Sequence, residues 1–156
     1  MGPSPRRPLQ PRSDDGNTIR IYMSEQSSHS EYLVLSRGQW DKDVSKQDIE
    51  TAIQKFYDWY ARNLETGRMK AGSRLSVERA VVSKKGIVTD GPFGESKEVV
   101  GGYWFIVARS LREAAAIAAE NPCAQLGLTY EIRPLEAARA SAYNVSCENP
   151  VTIRGN

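Results

Sequence analysis

The chain has 156 residues, a formal net charge of +2, and 40% hydrophobic and 26% charged residues. That is the length of one domain with room for a real core. The balanced charge, with no basic stripe interleaved with aromatics, argues against a nucleic-acid partner. No apolar run reaches membrane-spanning length, which argues against a membrane partner. Two cysteines and a single histidine supply neither a disulfide framework nor a zinc-spaced cluster. The expectation is therefore a cytoplasmic protein with no metal and no cofactor.

Residues 1–30 are rich in Pro, Ser, Arg and Gly and read as a flexible tail. Arg6-Arg7 is not followed by an apolar run, so the segment is no secretory signal. His29 stands at the end of this tail, a poor place for a preorganised base. The folded domain is expected over residues 31–135. It opens with Tyr32-Leu33-Val34-Leu35, a continuous apolar run that predicts a buried strand. Ser45 with Asp48 behind it signals a helix start, and Gly67 a stop. Between them Ile49, Ala52, Ile53, Phe56, Tyr57, Tyr60 and Leu64 form one helical face, with Trp59 toward its rim. Met69–Leu75 and Val77–Val82 read as a strand and an extended crossing. Lys84-Lys85-Gly86 turns the chain into Ile87-Val88 to complete a hairpin.

A loop follows. Thr89 to Gly102 holds four glycines and a proline, too many for a helix or strand interior. Long loops in small domains are usually functional or disordered. The Asp90 side chain can accept from backbone amides just ahead of it. Gly91 precedes Pro92, and the pair aims Phe93 in one direction. Gly101-Gly102 permits close approach of a backbone or a ligand. Tyr103–Ala108 is the strongest strand signal. Ser110 and Glu113 form a capping-box pattern that opens an Ala-rich helix to about Glu120, ended by Asn121-Pro122. Leu128–Pro134 alternates, with Leu128, Tyr130 and Ile132 on one side and Thr129, Glu131 and Arg133 on the other. Residues 136–156 read as a C-terminal tail, with Tyr143–Val151 able to dock.

This order is α+β, a ferredoxin-like split βαβ with an antiparallel sheet. The first strand and Tyr103–Ala108 take the centre, and the last strand an edge. Two helices cover only one face of such a sheet, yet both central strands are apolar on both sides. A monomer would leave a large apolar patch in water, so a homodimer packed sheet against sheet is expected. Glu131 and Arg133 then lie on the face toward the partner, where they either pair or line a cleft between sheets.

Thr89-Asp90-Gly91-Pro92-Phe93, Glu95-Ser96-Lys97-Glu98, Gly101-Gly102-Tyr103, Pro122 and Glu131-Ile132-Arg133-Pro134 together resemble the YCII-related proteins. The likeness is closest to the branch named for its Asp-Gly-Pro-Phe motif. It spans about Glu31 to Leu135 and implies a ferredoxin-like fold of the dimeric α+β barrel type. It implies no particular reaction. Relatives that eliminate halide from chlorinated rings carry a His on the first helix and an Asp near the end of the second. The corresponding places here fall near Phe56 and Asn121, so that acid–base pair is not carried over.

Candidate ligand-binding residues are Asp90, Phe93, Glu95, Lys97, Glu98, Tyr103, Glu131 and Arg133. Lys97 or Arg133 could hold an anion, an acid could accept a proton, and Phe93 with Trp59 could cover an apolar ring. Three readings stay open. One is a homodimer that binds a small organic or anionic ligand near the loop. Another is a non-catalytic regulatory or interaction module. The third is a lyase-type enzyme with a carboxylate in place of the His–Asp pair. The residues do not decide whether a reaction is catalysed.

Overall fold

The computed structural model describes Gly2, residues 28–89 and residues 99–151. Five strands and two helices come first: β1 (Ser30–Arg37), α1 (Lys46–Glu65), β2 (Met69–Arg74), β3 (Val81–Ser83), β4 (Gly86–Val88), β5 (Val100–Ala108) and α2 (Leu111–Ala118). A short 3-10 helix (Pro122–Leu126) and β6 (Thr129–Pro134) complete the order. A four-stranded antiparallel sheet runs β2-β5-β1-β6, so the two double-sided apolar strands are central, as their composition demands. This is the expected ferredoxin-like α+β arrangement. The sheet is open, and the described residues form no closed barrel. Among those residues no helix is long and apolar enough to cross a membrane.

Alternation along the strands divides the sheet into two faces. Tyr32, Val34, Trp104, Ile106 and Ala108 point to the helices and form the core with Met69 and Trp59. Ala114 and Ala118 of α2 are buried, and their small side chains let that helix lie close on the sheet. The opposite face carries Leu33 and Leu35 of β1 beside Phe105 and Tyr103 of β5, opposed in register. Tyr103 and Phe105 meet edge to face with centroids 6.1 Å apart. Ion pairs flank this apolar strip on both sides. Lys70 pairs with Glu31, and Arg37 and Arg133 reach Glu131 at 2.7 and 3.7 Å.

Both helix starts follow their sequence signals. The Ser45 hydroxyl accepts from the Asp48 amide at 3.0 Å, and that of Ser110 from the Glu113 amide at 3.1 Å. The Glu113 carboxylate reaches back to accept from Arg109 N–H at 3.0 Å, one residue earlier than a standard capping box. Ser110→Ala should cost about 1 kcal/mol. A thermal melt unshifted from wild type would contradict that role.

The helical stripe needs one correction. Trp59 is only 8% exposed and belongs to the core, whereas Tyr57 is 47% exposed. The seam runs through Ala52, Phe56, Trp59 and Asn63, rotated from the expected face. Trp59 tolerates burial because its indole N–H donates to Glu120 at 3.2 Å, and Asn63 because its amide donates to the Trp59 carbonyl at 2.8 Å. The second helix also ends earlier than expected, at Ala118. Asn121 then caps the 3-10 turn by accepting from the Cys123 amide at 2.9 Å, with Pro122 in its first position. Gly127 closes that turn at φ 111°, where an added Cβ would lie 2.5 Å from the Asp41 carboxylate. The last strand consequently starts at Thr129 rather than Leu128.

Among the described residues β3 and β4 pair only with each other. Val82 and Ile87 on this hairpin are exposed. Residues 136–151 form turns without helix or strand. They are tied internally by the Asn149 amide, which donates to Ala142 and Asn144 carbonyls at 2.7 and 2.9 Å. Arg133 reaches them by donating to the Cys147 sulfur at 2.9 Å. Tyr143 is fully exposed, so its ring does not dock.

Candidate functional site

A cleft of about 610 Å³ opens between α1 and the helix-side face of the sheet. Its walls are aromatic. Phe56 and Tyr60, one turn apart on α1, stack at 5.5 Å with planes 12° apart. Trp104 of β5 meets Phe56 edge to face at 5.5 Å and Tyr130 of β6 at the same distance. Trp40, from the β1–α1 connection, adds a further ring. That connection is docked by the Asp41 amide, which donates to the Leu126 carbonyl at 2.9 Å.

The floor is bare backbone. The register between β2 and β5 shifts between Lys70 and Ser73. A Cβ at Gly72 would stand 1.9 Å from the Tyr103 carbonyl oxygen, so no side chain fits there. One at Gly102 would stand 3.0 Å from the Ser73 carbonyl oxygen. The irregularity turns the Gly72 amide toward α1, where it donates to the Tyr60 hydroxyl oxygen at 3.3 Å. Helix and floor are thereby joined at the cleft. Tyr60→Phe should cost about 1 kcal/mol by orphaning that amide. A denaturant midpoint equal to wild type would show that the bond contributes nothing.

One end of the cleft is polar but neutral. The Tyr130 hydroxyl faces Ser36, Asn121 and Cys123. Burial pushes the Tyr130 phenol well above its ordinary value; the nearby Cys123 charge pushes the same way, against smaller opposing effects of Ser36 and Asn121. Burial likewise pushes the Cys123 thiol up, against a smaller opposing effect of Tyr130. Both groups are protonated at neutral pH. Because each folded value lies above the unfolded one, the stabilisation is fully present below the ordinary values of 9.0 and 10.0 and is lost as pH rises through the raised ones. The folded state should therefore weaken in alkali from about pH 9 upward. A flat denaturant midpoint between pH 8 and pH 11 would contradict this.

Among the described residues two buried donors, Trp104 Nε1 and Asn121 Nδ2, have no hydrogen-bond partner. The Asn121 amide faces the Tyr130 oxygen without reaching hydrogen-bond geometry. The described lining includes no carboxylate and no histidine. Arg74 is its one charged side chain. The arrangement can hold and orient a flat apolar molecule. Its described lining offers no group that exchanges a proton near neutrality.

Asp90, Phe93, Glu95, Lys97 and Glu98 lie outside the described residues. Tyr103 contributes to the cleft boundary. Glu131 and Arg133 come together, but on the sheet face away from the helices, where Arg37 joins them. Sequence reasoning missed Arg37, although it stands two residues beyond Leu35 on the same strand face. It also missed Gly72, whose position inside a strand pattern was itself a signal of irregular backbone. Arg74, Trp40 and Tyr130 were missed as site residues because nothing in a linear pattern brings three separate segments to one slot. The places where the family resemblance expects a His and an Asp fall near Phe56, a cleft wall, and near Asn121, which faces Tyr130.

Fold and cleft define a ferredoxin-like α+β domain with an aromatic slot between its sheet and first helix. Residues 31–136, more than half of the chain, match the YCII-related domain, and the protein belongs to the YCII-related family. The chain matches no curated protein.

Proposed function

We propose that the protein is a homodimer that binds a small organic molecule in the cleft between sheet and α1, and that it belongs to the Asp-Gly-Pro-Phe branch of its family. The cleft carries this reading: aromatic walls over a floor that admits no side chain at Gly72 are the features of a site shaped for a flat apolar ligand. Val99, just beyond the Asp-Gly-Pro-Phe segment, accepts from the Gly38 amide at 3.0 Å, and the chain then runs directly into Gly101 and Gly102 of the floor. Phe56 and Asn121 in place of an acid–base pair favour binding without His–Asp chemistry, which also keeps a regulatory role in view. The chain's three tryptophans give a direct test. Aromatic fragments should shift the indole N–H signals of Trp40 and Trp104, which line the cleft, and leave that of core Trp59 in place. A diverse fragment set that moves none of them would defeat the reading.

The dimer rests on the outer sheet face. Leu33, Leu35, Tyr103, Phe105 and Val107 would leave a continuous apolar strip in water, and the flanking ion pairs supply a polar rim. Light scattering at micromolar concentration should report twice the chain mass, and Phe105→Glu should halve it. A monomeric wild type would remove this proposal and leave the cleft untouched.

A further inference from the structure

The walls of the cleft select flat apolar molecules, and its charge selects among them. Arg74 is the single charged side chain in the described lining. It sits at the end of β2, opposite Gly102, whose missing side chain leaves its flank uncovered. Every other described cation on the sheet has an acid: Arg37 and Arg133 share Glu131, and Lys70 has Glu31. Among the described residues Arg74 has no ion-pair partner. A cationic ligand would meet this guanidinium with no carboxylate in the described lining to offset it. An anion would be attracted, and the planar fork suits a carboxylate or sulfonate in two-point contact.

We infer that the cleft takes an aromatic acid, its ring among Phe56, Tyr60 and Trp104 and its anionic group on Arg74. This rests on the cleft being the ligand site and adds the ligand's class. The ring supplies stacking area without any charge to desolvate. The anion stays at the mouth, where Arg74 is exposed and need not be dehydrated fully.

The test uses two probes of nearly the same shape, 1-anilinonaphthalene-8-sulfonate and its uncharged parent N-phenyl-1-naphthylamine. Binding is followed by probe fluorescence and by the three indole N–H signals of the full-length chain. Both probes should displace the Trp40 and Trp104 signals and leave Trp59 in place. Arg74→Met keeps the aliphatic stem on an exposed strand end, so the fold should persist. It should weaken the sulfonate by about tenfold or more, and the uncharged probe by less than about twofold. If both probes bind at Trp40 and Trp104 but Arg74→Met changes neither, or weakens both alike, the anionic class is wrong and the cleft site stands. If neither probe moves those two signals, the cleft site fails and the aromatic-acid inference falls with it.

Discussion

Gly72→Ala is expected to destabilise the domain by about 3 kcal/mol or more, the upper range for overpacking. The added methyl would sit 1.9 Å from the Tyr103 carbonyl oxygen and 2.8 Å from the Trp104 Cα. Both obstacles are backbone of the central strand β5, so neither can rotate away. Relief requires β2 to move off β5, which breaks the edge pairing and the amide bond to Tyr60. Gly101→Ala is the matched control, because a Cβ there has no neighbour within 4 Å. It should change stability by less than about 0.5 kcal/mol. Urea midpoints for the two variants decide the matter. Coincident midpoints would mean that the β2 irregularity yields freely and that the cleft floor is not fixed by this glycine.

Trp104→Ala should cost about 3–5 kcal/mol, because the ring is the common neighbour of Phe56, Tyr60 and Tyr130. Removing it takes away the wall of the cleft and opens a cavity beneath α1. Trp104→Phe should be much milder, less than about 1.5 kcal/mol. It loses volume, but it also deletes the unpartnered buried indole N–H. Burying such a donor without a partner costs about 1–3 kcal/mol, and that relief offsets the lost contact. The comparison separates packing from polarity. A Phe variant as unstable as the Ala variant would show that the indole N–H finds a partner in solution.

Much of the fold could be read from the chain because its signals are local. Ser45 and Ser110 cap where serine followed by an acid says they should. The apolar character of Tyr32–Leu35 and Tyr103–Ala108 on both faces agrees with their central place in the sheet. Trp59 and Tyr57 exchanged places because the rotation of a helix about its axis depends on what faces it. The Glu120 carboxylate that accepts from Trp59 comes from just beyond the C-terminal end of α2, far along the chain. The site was less legible for the same reason. Glu131 and Arg133 are neighbours on one strand face, as alternation required, but their meeting with Arg37 depends on the β1–β6 register. The cleft depends on a register shift, two glycines and rings from four separate elements.

The strand order also bears on how the chain is made. Among the described residues β1 and β2 are not paired with each other; each pairs with β5, and β6 pairs with β1. The first residue of β1, Ser30, meets the last of β5, Ala108. A chain emerging N-terminus first therefore carries β1, α1 and β2 out of the ribosome with no partner for the sheet. Among the described residues the β3–β4 hairpin is the one strand pairing open to it. Until β5 is synthesised, the apolar side of α1 and both faces of β1 have no sheet to join. Closure then pairs segments far apart in sequence, the kind of step that makes folding slow. The nascent protein thus keeps apolar surface uncovered until β5 has emerged, and a fragment ending before residue 100 lacks the strand on which the sheet is built.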